Sequence, residues 1–265
     1  MENDKLRVLD LFSGIGGFSL GLERTGGFDT VAFCEIEPFP RKVLAKHWPE
    51  VPCYEDVTKL TGDILKRDGI SVDVITGGFP CQDISTAGKQ AGISEGTRSG
   101  LWSEIVRLIG ELSPRYVIVE NVAALLSGPS EQRGGWFGRI LGDLAECGYD
   151  AEWENIPAAA VGAPHRRERV WIVAYPKCAG WERLISNYWL SGGAETPHAI
   201  FSDRVTASQL TVDIDGKCLR ANHGSSVKPY RDRLKQCGNA VYPPIPAMIG
   251  RAIMSVRGKN HANYQ

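Results

Sequence analysis

The chain has 265 residues, a formal net charge of −1, 43% hydrophobic residues and seven cysteines. Its length suits one large α/β domain with a small appendage. The irregular cysteine spacing excludes a disulfide framework and a CxxC zinc site, so we expect a reducing cytoplasm and no metal. No apolar run reaches the roughly 18 residues that span a bilayer, so we expect no membrane partner.

The charge is unevenly distributed along the chain. Residues 1–163 carry 15 Lys and Arg against 24 Asp and Glu, whereas residues 164–265 carry 15 against 7. We therefore expect the second part of the chain to face a polyanion. A solvated basic surface without a partner is the alternative interpretation.

The first predicted strand, at 6–12, leads into a glycine-rich turn at Ser13–Gly17. A helix is predicted next, at 18–24. A strand, a glycine turn and a helix in this order are typical of a nucleotide-cofactor site. The turn is not a dinucleotide fingerprint, because the final glycine of G-x-G-x-x-G would fall at Ser19.

Acidic residues follow the next two predicted extended segments. Glu35 ends a strand at 30–34, about twenty residues after the glycines, where an acid can bind a ribose diol. Ile36 beside it can pack on an adenine, and Asp56 follows the segment at 51–54, where it can accept from an adenine amino group. Each acid alone is more often a surface carboxylate or a helix cap, but the turn and both acids in series predict an adenosine pocket.

The fourth predicted strand, at 72–76, leads into Gly77–Ser85, at the strand end where open α/β sheets bind ligands. Two glycines let this backbone approach a ligand, and Pro80 favours an extended loop over a helix. Cys81 on the loop is a candidate nucleophile; a half-buried structural cysteine is the alternative. Residues 82–99 are rich in Gly, Ser and Thr without periodicity, which favours a lid loop.

A fifth predicted strand, at 116–119, is followed by the tripeptide Glu120–Val122. Neighbouring strands of a parallel sheet can bring Cys81 and Glu120 to one pocket. Further on, three arginines at 166, 167 and 169 precede an apolar strand. An arginine cluster can satisfy a sheet edge or bind phosphate.

The order of these segments resembles the DNA cytosine-5 methyltransferase family. Pro-Cys-Gln at 80–82 follows one strand and Glu-Asn-Val at 120–122 follows the next, as in that family. Arg-x-Arg at 167–169 and Gly-Asn-Ala-Val at 238–241 match two later motifs of the family. His165 stands where the family usually has Gln, which is a departure from the pattern.

The resemblance implies an α/β fold. We expect a Rossmann-like S-adenosylmethionine-dependent methyltransferase sheet, mostly parallel with helices on both faces, formed by residues 1–175 and 229–265. Residues 176–228 are expected to form a small target-recognition segment. Its aromatic and basic residues are interleaved without periodicity, and it is short for reading bases in a groove.

The resemblance also implies an activity. Proteins of this family transfer a methyl group from S-adenosylmethionine to C5 of a cytosine flipped out of duplex DNA, leaving S-adenosylhomocysteine. A cysteine, here Cys81, bonds covalently to C6 during the reaction. Glu120 is the implied proton donor to N3, and Arg167 is implied to contact O2 and to lower the pKa of the thiol.

The implied site residues form three groups. The catalytic residues are Cys81, Glu120, Arg167 and Arg169. The cofactor-binding residues are Phe12, Gly14, Ile15, Gly16, Gly17, Phe18, Glu35, Ile36, Asp56, Pro80, Leu101, Asn239, Ala240 and Val241. The residues for DNA or the flipped base are Gln82, Ser85, Lys89, Asn121, Arg231 and Arg233. Phe18 is expected near the adenine ring, and Pro80 also beside the base.

Partners and alternatives follow from the same resemblance. We expect a monomer in the cytoplasm, associated with the nucleoid, that binds double-stranded DNA, with a cognate restriction endonuclease as a candidate partner. A tRNA-modifying branch of the family is one alternative, although its usual Cys-Phe-Thr is absent from the chain. A DNA-binding module with a degenerate pocket is a second. A nicotinamide oxidoreductase is disfavoured, since the sixth-position glycine is missing.

Overall fold

A seven-stranded mixed sheet organises the part of the chain that the computed structural model describes, residues 5–80, 101–127, 135–177 and 239–262. Its strands are β1 (Leu6–Leu11), β2 (Phe28–Cys34), β3 (Cys53–Tyr54), β4 (Val74–Gly77), β5 (Tyr116–Val122), β6 (Tyr149–Pro157) and β7 (Glu168–Pro176). The spatial order is β3-β2-β1-β4-β5-β7-β6. Strands β1 to β5 are parallel, and β7 is antiparallel to both of its neighbours.

Five helices occupy connections between the described strands, and a sixth follows β7 along the chain. They are α1 (Gly17–Glu23), α2 (Pro38–His47), α3 (Gly62–Arg67), α4 (Trp102–Leu112), α5 (Gly135–Glu146) and α6 (Pro244–Ala262), with 3₁₀ turns at Ala123–Ser127 and Ala158–Val161. None of the helices in the described ranges combines the length and the apolar character needed to cross a bilayer.

Alternating side chains of β1 contribute to two cores, one on each face of the sheet. Leu9 and Leu11 are fully buried in a cluster that includes Trp102 of α4. Leu6 and Val8 belong to the opposite cluster, to which α1 and α6 contribute. Helices therefore pack on both faces, and the predicted Rossmann-like α/β fold is confirmed.

Two elements differ from the sequence-based prediction. The fifth strand continues to Val122, so that Glu120 and Asn121 lie inside it rather than beyond its end. The reason is antiparallel pairing with β7, in which Glu120 is opposite Trp171. Helix α3 was not predicted; Thr61 caps it by accepting a hydrogen bond from the Ile64 N–H at 3.2 Å.

Candidate active site

The glycine turn lies at the sheet edge where the parallel strands end. Ser13 ties the end of β1 to β2, because its hydroxyl donates to the Asp10 carbonyl and accepts from the Cys34 N–H at 3.3 Å. Phe12, half-buried directly after β1, has a φ of 53°. Non-glycine residues rarely adopt this region, and such strained positions concentrate at functional sites.

The glycines of the turn allow another segment to approach closely. Gly14 and Gly16 have φ values of 53° and 85°. A Cβ on Gly17 would lie 2.5 Å from the Val241 carbonyl oxygen, so a side chain cannot fit there. The contact brings the segment Asn239–Val241 to the predicted cofactor turn, with Asn239 exposed and the other two residues half-buried.

Glu35 lies beside the turn and is held by main-chain donors. One carboxylate oxygen accepts from the Gly14 N–H at 2.8 Å and the other from the Glu37 N–H at 2.7 Å. The residue is 8% exposed. Burial raises the pKa of Glu35, and the backbone hydrogen bonds oppose that shift. The carboxylate is thus oriented in advance and keeps free lone pairs for hydroxyl groups.

A cavity of about 460 Å³ opens beyond β2. Its lining residues are Ile36, Tyr54, Glu55, Asp56, Lys59, Leu60, Ile64 and Arg67. Ile36 is 64% exposed there. Asp56 accepts from the Thr58 N–H at 3.0 Å and the Thr58 hydroxyl at 2.7 Å, and these bonds lower its pKa. An exposed aliphatic side chain near an ionised carboxylate suits a planar ring that carries an amino group.

The location of Phe18 corrects one predicted assignment. The ring is 2% exposed and packs edge-on against Trp171, with 5.5 Å between ring centroids, in the core on the α1 and α6 side of the sheet. It therefore offers no surface to an adenine. The predicted residues Ile15, Pro80 and Leu101 are half-buried, and Leu101 packs beside α4.

Glu120 is a buried acid paired with an arginine from the antiparallel strand. Arg169 Nε lies 3.0 Å from Glu120 Oε1, and Glu120 is 9% exposed. Burial raises the pKa of Glu120, whereas the positive charges of Arg169 and Arg167 act in the opposite direction. Glu120 Oε2 lies near the backbone of the loop after β4, since a Cβ on Gly78 would be 3.3 Å from it.

Asn121 holds the same loop rather than facing a ligand. Its Nδ2 donates to the Phe79 carbonyl at 3.2 Å, its Oδ1 accepts from the Val122 N–H at 2.8 Å, and it is 2% exposed. The predicted direct contact of Asn121 with a base is therefore corrected to a role in fixing the segment before Cys81. The Phe79 ring packs on Trp102, with centroids 5.6 Å apart.

The turn before β7 presents the predicted arginines. Arg167 is half-buried with a φ of 23°, and its charge acts on Glu120. Arg169 is the residue in direct contact with the carboxylate, through Nε. His165, at the position of the family's Gln, is exposed and lies edge-on to Tyr242, with ring centroids 6.0 Å apart.

Several predicted residues lie outside the described ranges. They are Cys81, Gln82, Ser85, Lys89, Arg231 and Arg233. Most of the predicted recognition segment, at 178–228, lies outside them as well. Among residues that the structure does describe, no group of three or more His, Cys, Asp or Glu side chains is arranged to hold a metal ion.

Sequence reasoning missed one buried acid. Asp10 in β1 is completely buried and hydrogen-bonded to Ser19 and Thr76. The available signal was an acidic residue inside an otherwise apolar strand, where a charged side chain requires a partner.

Comparison with known proteins agrees with this geometry. The family model described as C-5 cytosine-specific DNA methylase matches residues 6–231. The Type II methyltransferase M.Sau3AI of Staphylococcus aureus is 38% identical over 194 residues, which cover 69% of this chain and 46% of that protein. The Type II methyltransferase M2.BsuMI of Bacillus subtilis is 36% identical over 173 residues, covering 64% and 42%.

A solved structure is also similar. It is that of a putative DNA modification methyltransferase encoded within an E. coli prophage, with a TM-score of 0.54 and 31% identity, covering 65% of this chain and 47% of that one. The chain spans less than half the length of the two Type II methyltransferases named above.

Proposed function

The chain belongs to the C-5 cytosine-specific DNA methylase family, and we therefore propose that it transfers a methyl group from S-adenosylmethionine to C5 of a cytosine in duplex DNA. The observation that supports this most directly is the buried Glu120–Arg169 pair, at the same sheet edge as the glycine turn. The reaction requires a proton donor and a cofactor site in one cleft.

The residues around the turn fit the cofactor. Its ribose hydroxyls match the carboxylate of Glu35, and its adenine matches the cavity with Ile36 and Asp56. The segment Asn239–Val241 lies against the turn and is proposed to contact the cofactor as well. When bound, the cofactor supplies an electrophilic methyl group on a sulfonium.

Cytosine C5 is a weak nucleophile, because attack from the ring disrupts its aromaticity. A thiolate that adds to C6 removes this obstacle and makes C5 an enamine-like carbon. Cys81 is the proposed thiolate. A thiol with the ordinary pKa of about 8.5 is only a few per cent ionised at pH 7, and nearby guanidinium groups, for which Arg167 is the candidate, favour the ionised form.

Glu120 is the proposed proton donor. Addition at C6 moves electrons towards N3, where Glu120 donates its proton; a raised pKa keeps the protonated form available. Arg169 holds the carboxyl group, and Arg167 is proposed to bond O2. After C5 has accepted the methyl group, a base takes the C5 proton, for which a water and a side chain are both candidates. The C6–S bond then breaks to restore the thiolate, and Glu120 recovers the N3 proton.

DNA binding is proposed for residues beyond the described ranges. A target base inside a duplex must be flipped out, which costs a few kcal/mol. Closure of loop 82–99 and of the recognition segment 176–228 would offset that cost. Gln82 and Ser85 are candidates for contacts near the vacated position. Lys89, Arg231 and Arg233 are candidates for phosphate contacts, whose loss with rising salt would weaken affinity.

A duplex that carries 5-fluorocytosine at the target position tests the covalent step. Bisulfite sequencing of DNA from cells that express the chain first identifies the methylated site. We expect the protein and S-adenosylmethionine to form a denaturant-stable adduct with the fluorinated duplex, because fluorine cannot leave C5 as the proton does.

Cys81→Ser is the matched control. It should form no adduct and no methylated DNA, while still binding S-adenosylhomocysteine in calorimetry. Methyl transfer by Cys81→Ser would remove Cys81 from its proposed role. Methylated RNA without methylated DNA would instead assign the substrate to the tRNA-modifying alternative.

A further inference from the structure

We propose that Asp10 is a positioning residue that couples the cofactor turn to the loop leading to Cys81. The inference rests on the proposed function for the identity of the cofactor. Asp10 takes no part in the chemistry described above, because it lies in β1, before the glycine turn, and is completely buried.

The carboxyl group of Asp10 bridges two elements. One oxygen accepts from the Ser19 hydroxyl and the other from the Thr76 hydroxyl, both at 2.8 Å. All three residues are 0% exposed. Water therefore cannot replace either hydrogen bond. If one hydroxyl is removed, the carboxyl group must reorient or keep a buried oxygen without a hydrogen-bond partner.

The two hydroxyls belong to the two parts of the proposed site. Ser19 lies in α1, directly after the glycine turn. Thr76 pairs with Asp10 across the β1–β4 ladder and precedes Gly77, the last residue of β4 before the loop towards Cys81. Asp10 thus joins the start of the cofactor helix to the end of the strand that carries the proposed nucleophile.

The same face of the sheet also carries Glu120. Side chains alternate between faces along a strand. Val8 in β1, Val74 in β4 and Ile118 in β5 belong to one core cluster, and Asp10, Thr76 and Glu120 each lie two residues further along these strands. The bridge therefore runs across the face on which the proposed proton donor lies.

An apolar residue at position 10 would avoid an unfavourable burial. Burial raises the pKa of Asp10 to about 7, and the hydrogen bonds from Ser19 and Thr76 oppose this shift. Leu6 and Val8, on the same face of the same strand, are buried in the core and have no charged group to desolvate. The acid is thus a poor choice for packing and a good one for orienting two hydroxyls.

Calorimetric titration with S-adenosylhomocysteine tests the coupling without any turnover. Thr76→Val removes the hydroxyl from β4, and Thr76→Ser retains it. We expect Thr76→Val to weaken binding about fivefold, the loss that corresponds to one neutral hydrogen bond, although Thr76 is outside the cofactor turn. Thr76→Ser should bind within about twofold of the wild type.

Asp10→Ala, which removes both acceptor oxygens, supplies the second arm of the cycle. In that background the Thr76→Val substitution should change the affinity by less than about twofold, because the bridge is already broken. Asp73→Asn is the control for general destabilisation: Asp73 accepts from the Arg7 backbone and side chain at the opposite end of β4, so its loss should lower the melting temperature and leave the affinity unchanged.

The outcomes are distinct. Equal affinities for the wild type, Thr76→Val and Thr76→Ser would overturn the coupling while the proposed function stands. This pair decides the question even if Asp10→Ala does not fold. A wild-type protein that binds no S-adenosylhomocysteine would overturn the proposed function and this inference together.

Discussion

Two parts of the candidate site hold their acids in different ways. In the cofactor half, formed by the turn Ser13–Gly17 with Glu35 and Asp56, the carboxylates accept from main-chain N–H groups, those of Gly14 and Glu37 for Glu35 and that of Thr58 for Asp56. In the catalytic half, formed by Glu120, Asn121, Arg167 and Arg169, the acid is held by a guanidinium from β7, on a strand that runs antiparallel to it.

The catalytic half therefore depends on a distant strand of the sheet, whereas the cofactor half depends on main-chain groups. Main-chain donors are present whatever the side chains are, so Glu35 is oriented as soon as β1 and β2 pair. Glu120 needs an arginine that reaches it only when β7 is inserted beside β5. We therefore expect substitutions in the two halves to have separable effects on cofactor affinity and on methyl transfer.

The strongest test of this separation is Glu120→Gln. Loss of a general acid typically costs 10²–10⁴-fold in rate, and we expect kcat for methyl transfer to fall by about that factor. Affinity for S-adenosylhomocysteine should stay within about twofold. Single-turnover methylation and calorimetry measure the two quantities, and a large parallel loss of affinity would contradict the separation.

The converse substitution, Glu35→Gln, should act on the cofactor half. An amide replaces one of the two acceptor oxygens by a donor, which then opposes the N–H of Gly14 or Glu37. We expect affinity for S-adenosylhomocysteine to fall about 10–100-fold, as for lost hydrogen bonds to a charged group. Methyl transfer at saturating cofactor should change far less, and unchanged affinity would exclude Glu35 from the cofactor site.

Asp10 links the halves and should give stability a specific pH dependence. Its pKa is about 7 in the folded chain, because burial and the charge of Glu35 outweigh the hydrogen bonds from Ser19 and Thr76, and about 3.9 when unfolded. The folded state binds the Asp10 proton more tightly than the unfolded state does. The stabilisation from this protonation is therefore complete below about pH 4 and is lost as the pH rises through 7.

The comparison with Asp10→Asn isolates this effect. Between pH 5.5 and 8, the unfolding free energy of the wild type should fall by about 2 kcal/mol relative to that of the variant, and the difference should be level at higher pH. Urea denaturation at a series of pH values measures it. Glu120 titrates in both proteins, so its contribution cancels. A difference in unfolding free energy that does not vary with pH would argue against a raised pKa at Asp10.

Asp56→Asn should have the smallest effect. The Asp56 side chain is 27% exposed, and the amide retains an oxygen that can accept from Thr58. We expect a loss of affinity for S-adenosylhomocysteine of about two- to fivefold, within the range for one partly exposed hydrogen bond. Glu55→Gln, a neighbour on the cavity wall, is the control that should bind like the wild type. A loss as large as that of Glu35→Gln would mean that Asp56 contributes as much as the buried acid.

Those parts of the site that depend only on the order of residues along the chain could be predicted from the sequence. The glycine turn and Glu35 were recognisable because each follows the end of a predicted strand. The Arg-x-Arg motif was recognisable because it stands directly before another predicted strand. The mostly parallel α/β sheet was implied by the resemblance to the family. The family was recognisable from the order of these motifs.

The contacts between side chains from different elements could be read only from the folded chain. The predicted contact of Phe18 with adenine was wrong because the helix periodicity turns that ring into the core against Trp171, which comes from a distant strand. Pairing with β7 extended β5 and gave Glu120 its arginine. The bridge through Asp10 joins β1, α1 and β4, and only packing brings these together. Contacts across the sheet depend on the register of the strands and on the face to which each side chain points. The sequence of one strand does not determine where its neighbouring strand lies.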